Sequence, residues 1–218
     1  SANTTSGFSI VKYTGAGSVA TVGHGLGVAP KMIIFKRTDA ASDWIVYHTA
    51  TGSNDFVYLN TTTAAAADSG ILNNTSPTSS VFTIGTANGL NGGVIIAYCF
   101  AEKTGYSKFG SYVGNGYANG TFSYTGFKPA FVMTKPSSGS GSWYMLDNKR
   151  ANPFNVVTGR LEADGNGAEN TGNTWCDFTS NGFKIRTTEG GINANGVTYI
   201  YMAFAESPFV ANVGESLP

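Results

Sequence analysis

The chain has 218 residues, of which 41% are hydrophobic, 13% aromatic and only 12% charged. Thirteen basic and thirteen acidic residues give a formal net charge of zero. This balance argues against a nucleic-acid-binding protein and against binding to an anionic membrane surface, because both need clustered positive charge. No apolar run approaches the roughly 18 residues of a membrane-spanning helix, and two cysteines are too few for a disulfide framework.

The N-terminal half begins without a recognisable targeting signal. Ser1 to Thr5 lack the basic and apolar regions of a signal peptide, and the start at serine suggests a trimmed N-terminus or a segment of a longer chain. Runs rich in Val, Ile, Phe, Tyr and Thr then alternate with Gly, Asn, Ser and Pro clusters, which is typical of strands joined by turns. Strands are predicted at 8–14, 19–23, 31–37, 43–48, 56–60, 80–85 and 93–102.

Two features of this half refine the prediction. The runs Lys31–Lys36 and Val94–Ala101 are almost continuously apolar, so we expect both faces of these two strands to be covered. The four alanines between Thr63 and Ser69 predict one short helical turn. In the second half, strands are predicted at 107–113, 120–124, 130–135, 142–147, 158–162, 175–179, 182–187 and 197–206. No segment has apolar residues at helical spacing over three turns.

The second half repeats the first. Ala97–Glu102 returns as Tyr201–Glu206, and the offset between the copies grows from 99 at Pro30 and Pro129 to 104 at the final glutamates. A repeat of this length has the size of a small domain. The sequence therefore predicts an all-β protein of two pseudo-repeated antiparallel β-sandwich lobes, Greek-key or jelly-roll-like, packed together. The predicted lobes are residues 1–104 and 105–218.

Few motifs in the sequence indicate a catalytic site. The sequence contains neither Gly-x-Ser-x-Gly nor His-Glu-x-x-His. We pair His24 with Tyr124 of the other copy and expect a shared packing or hydrogen-bonding position for the two rings, not a general base. Glu102 and Glu206 end equivalent strands and are interpreted as caps of their lobes, with a glycosidase carboxylate pair as the alternative. Cys99, in an apolar run, is interpreted as a buried packing residue.

Metal and cofactor sites are not predicted. The segment Asp164–Asn170 places oxygen ligands at alternate positions, as a calcium loop would, but it lacks the EF-hand frame, and a plain polar loop is favoured. No cysteine or histidine spacing indicates zinc. We therefore expect no metal, no cofactor and no enzymatic activity.

Sugar binding is the chemistry that the residues still allow. Sugar sites combine an exposed aromatic ring with polar side chains that form hydrogen bonds. Trp44 and Trp143 occupy equivalent positions and are expected to fill the two lobe cores. The candidate site is formed by residues without a counterpart in the first copy and their polar neighbours: Trp175, Asp177, Tyr117 and Asn119. Strand alternation places Trp175 on the polar face of Asp177. The alternative, which we favour, is that these residues form a lobe or subunit interface.

Two blocks of sequence carry a family resemblance. The first is Thr21–Ile33 with Asp43–His48, and the second is Gly105–Tyr112 with Gly126–Met133 and Thr198–Glu206. Together they resemble a domain family found in tail-fibre and other virion proteins of bacteriophages, notably marine ones, over nearly the whole chain. The family supplies no catalytic residues. The resemblance implies a location on the phage particle, in an appendage, after assembly in the host cytoplasm.

The resemblance and the residues together predict a non-enzymatic virion structural protein. It would be a tail-fibre or appendage module that builds the fibre or contacts host surface glycans. Its expected partners are other virion proteins, further copies of itself, with a trimer favoured by analogy of architecture, and host cell-surface glycans. The alternatives are a capsid-decorating protein and an enzyme that degrades surface polysaccharide.

Overall fold

A computed structural model describes residues 1–150 and 155–208, so the end of the predicted second lobe, from residue 209, lies outside the described residues. The described chain is nearly all β, which confirms the predicted all-β sandwich class. The strands of the first half are β1 Ala2–Asn3, β2 Phe8–Thr14, β3 Ala20–Gly23, β4 Met32–Arg37, β5 Ile45–His48, β6 Asp55–Tyr58, β7 Ala66–Ala67, β8 Val81–Ile84 and β9 Val94–Phe100. Those of the second half are β10 Ser107–Val113, β11 Phe122–Tyr124, β12 Pro129–Pro136, β13 Tyr144–Asp147, β14 Leu161–Glu162, β15 Cys176–Thr179, β16 Gly182–Ile185 and β17 Thr198–Ala205. The short helices are α1 Ser69–Leu72, α2 Asn88–Asn91 and α3 Gly190–Asn193.

The strands form four sheets that stack as four layers. The outermost layer of the first half is the pair β3-β8, and it packs on a seven-stranded sheet of order β1-β2-β9-β4-β5-β6-β7. This large sheet faces a five-stranded sheet of order β10-β17-β12-β13-β14, and the last layer is the three-stranded sheet β11-β16-β15. The predicted boundary between residues 104 and 105 falls in the connection between Phe100 and Ser107.

The almost continuous apolar strands lie at the centre of this stack, as expected. On β4, Ile33 and Phe35 point into the core of the first lobe, whereas Met32 and Ile34 point into a middle core between the two large sheets. Alternation of side chains across the strand requires this division, since both faces of the sheet are covered. The prediction that both faces of 31–36 are covered is therefore confirmed.

Each lobe has an equivalent tyrosine hydrogen bond as well as an equivalent strand order. The strand order β2-β9-β4-β5-β6 of the first lobe returns as β10-β17-β12-β13-β14 in the second. The Tyr13 hydroxyl donates to the Leu90 carbonyl at 2.9 Å, and the Tyr112 hydroxyl donates to the Ile192 carbonyl at the same distance. These bonds join equivalent strands to equivalent helices, so the sequence repeat is also a structural repeat.

The asparagines that end helices α2 and α3 hold the same turn in the two lobes. The Asn91 side-chain oxygen accepts from the backbone N–H groups of Ala16 and Gly17, and its amide donates to two carbonyls at 2.6 Å. Asn193 accepts from the Asn115 N–H at 3.0 Å and donates to carbonyls in the same way. Both side chains are buried, so these bonds satisfy groups that water cannot reach.

The tryptophans expected to fill the two lobe cores lie between the lobes instead. Trp143 is 1% exposed in the middle core, and its indole N–H donates to the Tyr58 carbonyl of the first lobe at 2.7 Å. Trp44 is half-buried against the same core and stacks on Tyr98 at 6.4 Å. The prediction that they are interior residues holds for Trp143. Their assignment to separate cores is wrong, because this face of each large sheet packs on the other lobe.

The alanine-rich segment differs from the prediction of a helical turn over 63–69. Residues Ala66–Ala67 form the short strand β7, which pairs with β6, and the Ala65 N–H donates to the Ser137 carbonyl of the second lobe at 2.9 Å. The helical turn begins only at Ser69, where the Asp68 carboxylate accepts from the Gly70 N–H at 2.7 Å as an N-cap. Tertiary pairing outweighs the helical propensity of alanine here.

Within the described residues, no helix has the length and apolar character of a membrane span.

Candidate functional site

The four residues predicted to form a site do not all reach the surface. Trp175 is fully buried in the second-lobe core, so the prediction that its ring lies on a polar face is wrong. The indole N–H donates to the Thr158 carbonyl at 2.9 Å, and the ring meets Tyr144 edge-on at 5.7 Å. The period-2 rule fails because it applies only inside a regular strand, and β15 begins at Cys176.

Asp177, Tyr117 and Asn119 do lie at the surface of the second lobe. Tyr117 is 72% exposed and Asn119 is exposed, both in the turn that follows β10. Asp177 is half-buried on the three-stranded sheet, opposite Lys184 of the neighbouring strand. The Lys184 ammonium donates to the Gly120 carbonyl at 2.9 Å, which connects the turn to the sheet. Tyr117 and Asn119 therefore precede one edge strand of the outer layer, β11, whereas Asp177 lies on the other edge strand, β15.

The sequence interpretation missed two aromatic residues on this outer layer. Phe122 is 44% exposed and Tyr124 is 64% exposed, while Ser123 between them is buried. Phe122 pairs with Lys184 and Tyr124 pairs with Gly182 across β11 and β16, so both rings stand on the solvent face of the sheet. The alternation of Phe, Ser and Tyr was a signal for this placement.

A glycine makes room for one of these rings. A Cβ atom on Gly182 would lie 2.8 Å from the Phe122 Cζ atom, so the ring lies over the glycine backbone. Arg186 extends the same face, with its Nε 3.5 Å from an Asp177 carboxylate oxygen. We call the surface formed by Phe122, Tyr124, Lys184, Asp177 and Arg186 the outer aromatic face.

The first lobe has no such face at the equivalent place. Phe82-Thr83-Ile84 recurs as Phe183-Lys184-Ile185 in the sequence repeat, and Val22 pairs with Phe82 as Ser123 pairs with Phe183. Strand register therefore matches Thr21 with Phe122 and Gly23 with Tyr124. The outer layer of the first lobe thus presents a threonine and a glycine where the second presents two rings. The duplicated scaffold carries the aromatic pair in one copy only.

This register corrects the predicted match between His24 and Tyr124. The His24 N–H donates to the Ser80 carbonyl, as the Thr125 N–H donates to the Asn181 carbonyl, so His24 corresponds to Thr125. His24 is 2% exposed, and its Nδ1 accepts from the Leu26 N–H at 3.2 Å. The His24 ring stabilises a local turn and does not occupy the position equivalent to the Tyr124 ring, which points to solvent.

The titratable side chains examined as possible catalysts have structural partners. Glu102 accepts from Lys108 at 2.8 Å and Glu206 from Lys128 at 2.7 Å, so each pairs with a lysine of the second lobe. Cys99 is fully buried, as predicted, and burial raises the pKa of its thiol to about 12, which removes the thiolate needed of a nucleophile.

The predicted polar loop is also used structurally. The Asp164 carboxylate accepts from the Trp143 N–H at 2.8 Å, and Glu169 pairs with Arg150 at 3.1 Å. In the described part of the chain, no three His, Cys, Asp or Glu side chains come together in a metal-binding cluster.

The outer aromatic face offers exposed rings beside two cations and one carboxylate. This combination suits recognition of a ligand with flat apolar faces and hydroxyl groups.

Comparison with known proteins gives a family without a described activity. No curated protein and no solved structure matches the chain. One family, described as a domain of unknown function (DUF7483), matches residues 1–208. The match covers both lobes and the whole of the outer aromatic face. The chain belongs to this family, the domain of unknown function DUF7483.

Proposed function

We propose that the protein is a non-enzymatic virion module that contacts host-cell surface glycans through the outer aromatic face. The observation that carries the proposal is the exposed pair Phe122 and Tyr124, set on a regular sheet beside Lys184, Asp177 and Arg186. Sugar rings stack their C–H faces on such rings, and their hydroxyl groups bond to neighbouring polar side chains. A face on regular strands also loses little conformational entropy on binding.

The location on a virion rests on sequence resemblance. The two blocks described above resemble domains of phage tail fibres and other virion proteins. A neutral, glycine- and asparagine-rich β protein is compatible with repeated assembly in an appendage. Weak contacts with single sugars would then sum over symmetric copies, so the particle would bind tightly through avidity.

The binding proposal is tested on an array of bacterial surface glycans with the protein multimerised on beads. The double variant Phe122→Ala, Tyr124→Ala should lower retention about tenfold or more, since two ring contacts contribute about 1 kcal/mol each. Val28→Ala, at a residue 41% exposed in the first lobe, is the control and should bind like the wild type. Equal retention of the double variant and the wild type would refute the role of this face.

A second candidate function is supported by the position of the aromatic pair on an edge strand. β11 lies at the edge of its sheet, and Val113 nearby is 51% exposed. Exposed edge strands with large apolar side chains are typical contact surfaces between subunits. The same face would then join copies of the chain, as in the predicted homo-oligomer. Light scattering of the wild type and of the Phe122→Ala, Tyr124→Ala variant separates the two functions, because only assembly predicts a change in mass.

The virion location has its own test. Peptide mass spectrometry of purified particles should detect the chain, and antibody labelling should place it on an appendage. Labelling on the capsid surface would favour the decorating-protein alternative. Release of reducing ends from host polysaccharide by the purified protein would favour the degrading enzyme instead.

A further inference from the structure

A second feature of the second lobe has no counterpart in the first, and it shares no residue with the outer aromatic face. Arg160 lies above two aromatic rings, with its guanidinium carbon 4.0 Å from the Tyr144 ring centre and 4.6 Å from the Trp175 ring centre. One of its terminal nitrogens lies 2.7 Å from a Glu162 carboxylate oxygen. The guanidinium is thus fixed in position by stacking and by an ion pair.

The repeat shows that this arginine is not needed to build the scaffold. Tyr58 pairs with Ile45 as Glu162 pairs with Tyr144, so strand register places Phe56 of the first lobe at the position of Arg160. Phe56 and Tyr58 form an edge-on ring pair at 5.0 Å, and Phe56 is buried in the first-lobe core. The second lobe replaces this aromatic pair by an arginine and a glutamate.

That replacement has a cost in folding free energy. The Arg160 side chain is only 13% exposed, and its Nε is buried without a hydrogen-bond acceptor among the residues that the structure describes. A buried donor without a partner destabilises a fold, because the group loses its bond to water and gains none in the protein. The aromatic alternative in the first lobe avoids this loss. A polar group kept at such a position points to a use other than stability.

The arginine lines a small cavity. The cavity has a volume of about 210 Å³ and is lined by Arg160, Glu162, Gly167, Ala168 and Asn170. A reciprocal pair of backbone hydrogen bonds, both at 2.9 Å, joins two of these lining residues, Arg160 and Asn170. The Asn170 side-chain oxygen accepts from the Gly172 N–H at 3.0 Å, which orients the amide and leaves its NH₂ group as a donor.

The charges of the lining select the class of ligand. Among the described residues of the lining, Arg160 is the one cation, and it is already paired with Glu162, so these residues offer no net positive charge to an anion. Guanidinium and amide N–H groups beside a carboxylate instead match neighbouring hydroxyl groups, which accept and donate hydrogen bonds. A volume below that of drug-sized ligand sites holds one small ring. We propose that this cavity binds a single neutral sugar unit, with Arg160, Glu162 and Asn170 as its polar contacts.

The test uses saturation-transfer NMR and calorimetric titration of the purified protein with neutral hexoses, N-acetylhexosamines and glucuronate. We expect weak binding of at least one neutral sugar and none of glucuronate. The variant Arg160→Phe installs the first-lobe residue, so it should fold with equal or higher thermal stability and lose binding. Loss of a hydrogen bond to a charged group weakens binding about 10- to 100-fold. Arg37→Lys, at an arginine of the first lobe that is ion-paired with Asp39, is the matched control and should retain binding.

Three results would overturn the proposal. The first is the absence of binding by any neutral sugar, and the second is a preference for glucuronate. The third is unchanged affinity in the folded Arg160→Phe protein. The Phe122→Ala, Tyr124→Ala variant separates this site from the outer aromatic face, since it should keep monosaccharide binding whether or not that face contacts glycans.

Discussion

We expect His48 to make the packing of the two lobes sensitive to acid. Its Nε2 lies 3.1 Å from the Tyr201 carbonyl of the second lobe, and its Nδ1 accepts from the Ala50 N–H at 3.1 Å. This pattern requires a neutral ring with the proton on Nε2. The ring is 1% exposed, and burial lowers its pKa from 6.5 to about 4, while the bond to Tyr201 opposes the shift. Protonation would place a charge in the interface and turn the acceptor Nδ1 into a donor.

The magnitude follows from the pKa difference. Because the folded pKa lies below the unfolded one, the unfolded chain binds more protons between pH 6.5 and about 4, so stability decreases as pH falls through this window. A shift from 6.5 to about 4 corresponds to about 3 kcal/mol in full, of which about 2 kcal/mol is lost by pH 4.5. This is a large fraction of the stability of an ordinary domain.

The assay is urea unfolding at pH 7 and at about pH 4.5, followed by tryptophan fluorescence. His48→Asn keeps an acceptor for the Ala50 N–H but does not titrate, so the stability advantage of the wild type over this variant should shrink by about 2 kcal/mol at the lower pH. His24→Asn is the matched control. Because it retains His48, its stability advantage over the His24→Asn, His48→Asn double variant should shrink by the same amount at the lower pH. An advantage that is the same at both pH values would refute the assignment of a neutral, buried His48.

Three further predictions concern stability and reactivity. Replacing Asn91 or Asn193 by alanine leaves several turn groups without partners, and each change should lower the free energy of unfolding by about 2–3 kcal/mol in urea titrations, with similar values in the two lobes. Trp143→Phe removes the bond to the Tyr58 carbonyl and part of a buried ring, and it should lower thermal stability by about 1–3 kcal/mol by calorimetry; an unchanged midpoint would contradict the inter-lobe role. Cys99 and Cys176 should react with a thiol reagent only after denaturant is added, since burial raises both pKa values; rapid labelling of the native protein would show that one is accessible.

Much of the fold could be predicted because the strands carry their own signals. The predicted strands at 8–14 and 107–113 agree with β2 and β10 at both ends, and most others agree within two residues. Apolar periodicity and turn residues are local properties, so they can be read without knowledge of the partners of each strand. The internal repeat can also be detected without knowledge of the fold, because it is found by comparing the chain with itself. The sequence alone therefore determined an all-β protein with two related halves.

The candidate site was harder to predict, since exposure depends on what covers each face. Trp175 and Tyr124 show this most clearly. Trp175 was expected at the surface and is buried beneath Arg160. Tyr124 was expected to share an equivalent position with His24 and is 64% exposed. The alternation of side chains along a strand indicates which residues share a face. It does not indicate whether that face meets solvent or another sheet.

Only the tertiary structure decided how the two halves meet and which surfaces remain. It placed Trp143 and His48 in the middle core, where each bonds to a carbonyl of the opposite lobe. It also showed that Arg160 occupies the position in the second lobe that Phe56 occupies in the first. In the same way, Phe122 and Tyr124 occupy the positions of Thr21 and Gly23. These differences between matched positions depend on contacts far apart in the chain, which no local pattern encodes.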